Sequence, residues 1–229
     1  GFGLTVDEDM FRREAEWAIR HLRSDKTLYY RATIIRDTGD RRFADTPDFP
    51  PRPVLDEPFA SALKDLIEEV RAESADIESF AAEVLDRLLD ESPDENVALF
   101  LSEVDSPLDR ARLAQQLLAD AHIPTLLVHG ILLQNDVETA PIKTLLAVHN
   151  GDDWLLFDPQ TGHRGKPDNF LIWYRGEEEL ASVSGALLHD LQISVKRRVT
   201  SALDLATLRS ELKDSLIGRI SVLQLPVQT

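Results

Sequence analysis

Apolar residues recur at helical spacing in several stretches of the chain, and each stretch is predicted to form an amphipathic helix. Three of the helices carry an N-terminal signal: a Thr-x-x-Glu capping box, a serine and a Ser-Pro pair. The predicted helices cover about residues 6–23, 59–70, 77–88, 108–121 and 203–216, and the signals are Thr5–Glu8, Ser74 and Ser106-Pro107. The helix after Ser106-Pro107 is apolar on more than one face, which predicts a central, buried position.

After that helix the pattern changes to alternating or continuous apolar residues, which is typical of β-strands. Asn150-Gly151-Asp152-Asp153 is a hairpin-turn sequence, so the strands on either side of it are predicted to pair. The predicted strands cover residues 26–36, 124–133, 143–149, 154–157, 170–174, 191–199 and 220–225, while 97–101 is apolar but of undetermined type. Helices followed by antiparallel strands indicate the α+β class rather than alternating strand–helix units.

A proline-rich segment gives the best internal boundary. Residues 37–58 have few regularly spaced apolar positions, which is typical of an extended linker. The prolines are Pro47, Pro50, Pro51, Pro53 and Pro58. The sequence therefore predicts an N-terminal helix, strand and linker over 1–55 and a main domain over 56–229.

Composition removes several classes of function. The 229 residues include 41 Asp and Glu against 25 Lys and Arg, a net charge of −16, which disfavours nucleic acid or an anionic membrane face as the main partner. The chain has no cysteine, which excludes disulfides, cysteine metal sites and a cysteine nucleophile. No glycine-rich phosphate loop occurs, and the six histidines lack metal-ligand spacing. We therefore predict no metal and no cofactor.

One constellation resembles a known fold. The buried helix is followed by Ala121-His122-Ile123-Pro124-Thr125, then by a strand and a hairpin that ends in Trp154-Leu155-Leu156-Phe157-Asp158-Pro159. This order resembles the transglutaminase-like core, a relative of the papain-type fold. In active members a cysteine lies at the N-terminus of the helix, a histidine opens the following strand, and the Trp-x-x-x-Asp-Pro segment supplies an acid. The resemblance implies a central helix packed on an antiparallel sheet, preceded by helical segments.

The same resemblance places the nucleophile, base and acid positions at Pro107, Lys143 and Asp158. Only the acid is retained, because proline has no nucleophilic atom and a charged lysine cannot accept a proton. Ser106 does not replace the nucleophile, since no histidine stands at the equivalent base position. The resemblance therefore implies a catalytically inactive protein.

Further strings sharpen the likeness: Leu28-Tyr29-Tyr30-Arg31, Ser74-Ala75-Asp76 and Leu225-Pro226-Val227. With them the chain is similar, over about 26–229 and most strongly over 107–162, to the bacterial family described as inactive transglutaminase fused to seven transmembrane helices. That resemblance implies a soluble ectodomain on the periplasmic face of the inner membrane, followed by the protein's own membrane-spanning region. It also implies an association with a pathway that contains an ATP-grasp, glutamate-ligase-like enzyme and a peptidase.

Lys143 and Asp158 are expected to face each other across the former active cleft. As a ligand site, Lys143 would bind a carboxylate, with Arg110, Trp154 and the helix start adding contacts. As a structural pair, the two charges would only fill the cleft. The leading hypothesis is a binding or sensing module for a small peptide, an amino-acid-like ligand or a protein. The alternatives are a residual hydrolase or acyltransferase that uses other residues near Asp158, and a purely structural scaffold.

Overall fold

The computed structural model describes residues 2–8, 13–19, 24, 26–28, 47–134, 138–176, 184, 188–189, 192–195 and 225–228. In chain order the elements are β1 (Phe2–Glu8), β2 (Arg13–Ile19), β3 (Lys26–Leu28), α1 (Phe59–Glu73), α2 (Ile77–Leu89), α3 (Glu95–Leu101), α4 (Pro107–Asp120), β4 (Thr125–Leu132), β5 (Ile142–His149), β6 (Trp154–Phe157), β7 (Phe170–Arg175), β8 (Leu188–His189) and β9 (Leu225–Gln228). Helices and antiparallel sheets are both present, so the predicted α+β class is confirmed.

The chain divides into two compact units. The first comprises residues 1–36, 135–139 and 181–229, and the second comprises residues 37–134 and 140–180. These bounds differ from the predicted division into 1–55 and 56–229. The difference arises because β3 pairs with β9, which brings the two ends of the chain into one unit.

The first unit contains two small antiparallel sheets. One is the β1–β2 ribbon, and the other has the strand order β3-β9-β8. The remaining predictions for this part of the chain lie largely outside the described residues. They are most of the strand over 26–36, most of the strand over 191–199, the helix over 203–216 and all but the last residue of the strand over 220–225.

The helix predicted over 6–23 is wrong, because β1 and β2 form an antiparallel ribbon there. In this ribbon Leu4 lies opposite Trp17, and Val6 lies opposite Ala15. Along β2, half-buried Ala15, Trp17 and Ile19 alternate with exposed residues, which is the two-residue period of a strand. The helix prediction relied on apolar residues at helical spacing, three or four positions apart, and did not use Trp17. Thr5–Glu8 accordingly lies within β1 and caps no helix.

In the second unit α1 and α2 form where the helical spacing predicted them, and the undetermined stretch 97–101 belongs to α3. The predicted N-cap of α2 is wrong. Asp76 occupies that position: its carboxylate accepts from the Ser79 backbone N–H at 2.7 Å, and the Ser79 hydroxyl accepts from the Asp76 N–H at 3.0 Å. Ser74 instead ends α1, and its hydroxyl donates to the Val70 carbonyl at 2.7 Å.

One arginine ties these three helices together. The Arg87 guanidinium on α2 contacts Glu83 on its own helix, Glu69 and Glu73 on α1, and Asp94 at the N-cap of α3. Burial alone would lower the pKa of Arg87, but the hydrogen bonds from its guanidinium to the three glutamates outweigh burial and raise it. Arg87 therefore stays charged, and it neutralises acids that would otherwise repel one another along the helix faces.

α4 packs on a four-stranded antiparallel sheet with the strand order β6-β5-β4-β7. The helix-facing side of the sheet belongs to the main core, where Leu117 and Leu118 of α4 cluster with Leu127 of β4 and Leu146 of β5. The opposite side has a second apolar cluster of Val128, Leu145, Ala147 and Phe170, with Trp154 and Leu156 packed against it. The strands predicted over 124–133, 143–149, 154–157 and 170–174, and the turn that joins β5 to β6, are confirmed.

Candidate functional site

The N-terminus of α4 is closed by its own side chains. Ser106 is the N-cap: its hydroxyl accepts from the Asp109 backbone N–H at 3.1 Å and donates to the Asp109 carboxylate at 2.6 Å. Pro107 follows at the first helical position. A backbone N–H at this position would have no partner within the helix, so proline, which lacks it, loses no hydrogen bond there. Pro107 is exposed and offers no nucleophilic group. The Ser106 hydroxyl is engaged with Asp109 on both its donor and its acceptor side.

The β5–β6 hairpin brings Lys143 and Asp158 together. Lys143 lies near the start of β5, and Asp158 follows the last residue of β6, in a register that pairs Leu146 with Phe157. The Lys143 ammonium forms an ion pair with Oδ2 of Asp158. The Asp158 side chain is 5% exposed and the Lys143 side chain 19% exposed, so little solvent screens the pair.

The Asp158 carboxylate has further partners in the turn that follows it. Its Oδ1 accepts from the Gln160 backbone N–H at 3.0 Å, and its Oδ2 accepts from the Thr161 hydroxyl at 2.7 Å. Burial would raise the pKa of Asp158, but the hydrogen bonds from Lys143, Thr161 and Gln160 outweigh it, and the net result is a lowered pKa. The carboxylate is therefore ionised at neutral pH and fixes both the hairpin and the turn.

This arrangement is poorly suited to proton transfer. Asp158 is held as a carboxylate by three donors and is therefore a poor general acid. Lys143, while it donates to that carboxylate as an ammonium, has no lone pair with which to accept a proton. The two charges satisfy each other, and the Lys143 side chain keeps 19% of its surface exposed.

Arg110 lies on α4 and Trp154 on β6, both in the second unit. Arg110 is in the second turn of α4, and its Nε is buried without a hydrogen-bond partner in the described part of the chain. Trp154 opens β6, packs on the second apolar cluster and meets the His149 ring edge-on at a centroid distance of 5.1 Å. Within the described ranges, no hydrogen bond or ion pair joins Arg110 to Lys143 or Asp158.

A buried histidine in β4 was given no role by the sequence. His129 is 5% exposed, and its ring stacks on Tyr174 at a centroid distance of 4.4 Å. Nδ1 lies 2.9 Å from the Thr144 hydroxyl, and Nε2 lies 3.0 Å from the Gly176 carbonyl oxygen. The Gly176 carbonyl can only accept, so Nε2 carries a proton. The only sequence signal for His129 was a polar residue inside an apolar strand. Its partner Gly176 is distant in sequence and could not be predicted from local patterns.

Comparison with known proteins finds a family match over the first part of the chain. Residues 1–104 match the model of the family described as inactive transglutaminase fused to 7 transmembrane helices. The family predicted from the sequence is therefore confirmed through this segment, which includes the first 25 residues and ends before α4. The chain matches no curated protein and no solved structure.

By its description, that family joins an inactive transglutaminase to a membrane-spanning region. Among the residues that the structure describes, no helix is both long and apolar enough to cross a membrane. Within the same residues, no group of three or more histidine and acidic side chains is placed to hold a metal ion.

Proposed function

We propose that the second unit is a non-catalytic, transglutaminase-like binding module that belongs to a membrane protein. The ion pair between Lys143 and Asp158 carries the proposal. By the resemblance, Lys143 stands where active relatives have the catalytic histidine, and Asp158 stands where they have the acid. An ammonium that neutralises the acid leaves the site without a base, and Pro107 leaves it without a nucleophile.

The proposed ligand is an anion of the size of an amino acid or a short peptide. One carboxylate of the ligand would accept from the ammonium of Lys143, whose side chain is 19% exposed and which already pairs with Asp158. Arg110 is a second candidate cation in the same unit, since its Nε has no hydrogen-bond partner in the described part of the chain. Within this class we favour ligands that contain glutamate. The family resemblance implies an association with a pathway that contains an ATP-grasp, glutamate-ligase-like enzyme and a peptidase, and such ligands agree with it.

The proposed setting is the periplasmic face of a bacterial inner membrane, where the module would report ligand or partner binding to its own membrane-spanning region. The family description supports a membrane protein. The net charge of −16 supports a module that stands away from anionic lipid and does not bind nucleic acid.

A thermal-shift screen tests the ligand. Free amino acids, glutamate-containing peptides and cell-wall fragments are added to the protein and to its Lys143→Ala variant. A ligand at about 100 times its Kd adds about 2.7 kcal/mol to the free energy of unfolding, which raises the Tm by several degrees. We expect one ligand class to raise the Tm of the wild type, and the shift to be lost in Lys143→Ala.

The matched control is Lys166→Ala, which removes an exposed lysine outside the hairpin and should keep the full shift. A shift that survives Lys143→Ala would place the ligand elsewhere. A flat screen would favour a protein partner or a structural scaffold. Acyl-transfer or hydrolase turnover that Asp158→Asn abolishes would contradict the proposal and favour a residual enzyme.

A further inference from the structure

The turn between β5 and β6 holds an asparagine in a reactive setting. Asn150 is followed by Gly151, whose φ of +109° is open to glycine and strained for other residues. Apart from Gly151 and its two chain neighbours, no atom lies within 4 Å of the place where a Gly151 Cβ would be, so the turn is open on that side. Such a nitrogen can attack the side-chain amide carbon of the preceding asparagine and close a five-membered succinimide ring.

A base already contacts the attacking nitrogen. The backbone N–H of Gly151 donates to Nδ1 of His149 at 3.1 Å. Because a backbone N–H can only donate, Nδ1 must be the unprotonated nitrogen of this imidazole, and the proton lies on Nε2. The His149 ring is further positioned by its edge-on contact with Trp154. An imidazole with a free lone pair at hydrogen-bond distance from the proton to be removed meets the geometric requirement for a general base.

The carbonyl under attack is also polarised. Oδ1 of Asn150 accepts from the backbone N–H of Asp152 at 3.0 Å and from that of Asp153 at 2.8 Å. Both partners are donors, which identifies the side-chain atom as the oxygen. Two backbone N–H groups on one carbonyl oxygen stabilise the negative charge that develops when a nucleophile adds to the carbon.

We propose that this turn is a self-modifying site at which Asn150 loses its amide, with His149 as the base. The nitrogen of Gly151 forms a bond to Cγ of Asn150, and its proton passes to Nδ1 of His149. The bond from Cγ to the amide nitrogen then breaks, and ammonia leaves with that proton. Water opens the succinimide at either carbonyl and gives aspartate or isoaspartate at position 150. The product carries one more negative charge in a turn that already contains Asp152 and Asp153.

The test is a time course of the intact protein at neutral pH, followed by peptide mapping that resolves asparagine, aspartate and isoaspartate. Asn169, which is exposed while Asn150 is half-buried, precedes Phe170 and is the control within the same sample. We expect Asn150 to convert, with isoaspartate among the products, while Asn169 remains an amide. A position 150 that stays an amide as long as Asn169 does would overturn the proposal.

Two variants distinguish the role of His149 as a base from its role as a hydrogen-bond acceptor. His149→Phe keeps an aromatic ring beside Trp154 but has no acceptor, and His149→Gln can accept the Gly151 N–H but cannot take its proton. We expect both variants to slow conversion roughly tenfold, which is less than the ~10²–10⁴-fold that a positioned base supplies in enzymes. Wild-type rates in both variants, or in His149→Gln alone, would overturn the role of His149 as a base. Unfolding curves of both variants check that the hairpin is intact.

Discussion

Asp158→Ala should lower the free energy of unfolding by about 3 kcal/mol, as expected when one partner of a largely buried ion pair is removed. The variant leaves the Lys143 ammonium without its counter-charge, on a side chain that is only 19% exposed. It also removes the acceptor of the Gln160 N–H and the Thr161 hydroxyl, which hold the turn after β6. For a chain of this size the Tm should fall by roughly 10 °C in a thermal denaturation experiment.

The matched control is Asp168→Ala, which removes an exposed aspartate in the same unit and should change stability by less than about 0.5 kcal/mol. Lys143→Met combined with Asp158→Asn should lower the free energy of unfolding by less than the sum of the two single changes, because the double variant buries no unpaired charge. If the losses in the free energy of unfolding of the two single variants add up to the loss in the double variant, the ion pair does not stabilise the hairpin.

The contribution of Asp158 should also depend on pH in a defined direction. Its pKa is lowered in the folded protein below the ordinary value of about 3.9. Stability from the ionised carboxylate is therefore fully present above about pH 4 and is lost as the pH falls through the lower, folded pKa. The stability gap between the wild type and Asp158→Ala should be constant near neutral pH and should narrow only in that acid range. A gap that narrows near neutral pH would contradict this assignment.

Gly130→Ala should cost about 3 kcal/mol, the upper end of the range for overpacking a well-packed core. Gly130 lies in β4 between β5 and β7, opposite Lys143 and Ile172. A Cβ at this position would lie well inside van der Waals contact of the Leu171 carbonyl oxygen and of the Phe170 ring. Because the carbonyl belongs to the backbone of β7, relief requires the two strands to separate.

Gly3→Ala is the control for this substitution, since its Cβ would meet only the Ala18 carbonyl oxygen at 3.9 Å. We expect that variant to stay within about 0.5 kcal/mol of the wild type. Unfolding in urea measures both. Equal, small effects at the two positions would show that β7 does not approach β4 as closely as the structure has it.

Elements with strong local signals were predicted correctly. α4 has a Ser-Pro start and a broad apolar surface, and the β5–β6 hairpin has its turn sequence and alternating strands. The contact between Lys143 and Asp158 follows from that hairpin, because the turn length sets the register of the two strands. The bonds from Asp158 to Gln160 and Thr161 are local as well, since the three residues belong to one short turn.

Failures occurred where two local patterns competed or where the partner was distant in sequence. The segment of β2 fits both periods, and pairing with β1, which no local pattern shows, decides for the strand. Ser74 and Asp76 can both cap a helix, but only Asp76 has a serine three residues later with which to exchange hydrogen bonds. Gly176 meets His129 across 47 residues, a separation that sequence periodicity does not bridge.

The measurement that tests the degenerate site most directly is the alkylation rate of a thiol introduced at position 107. The chain has no cysteine, so Pro107→Cys provides the only thiol. In Pro107→Cys combined with Lys143→His, the α4 N-terminus and an imidazole held by Asp158 should lower the thiol pKa below about 8.5. We expect this double variant to react with iodoacetamide faster at neutral pH than Pro107→Cys alone, in which Lys143 remains paired with Asp158. Equal rates, both those of an ordinary exposed thiol, would contradict a transglutaminase-like site at Pro107, Lys143 and Asp158.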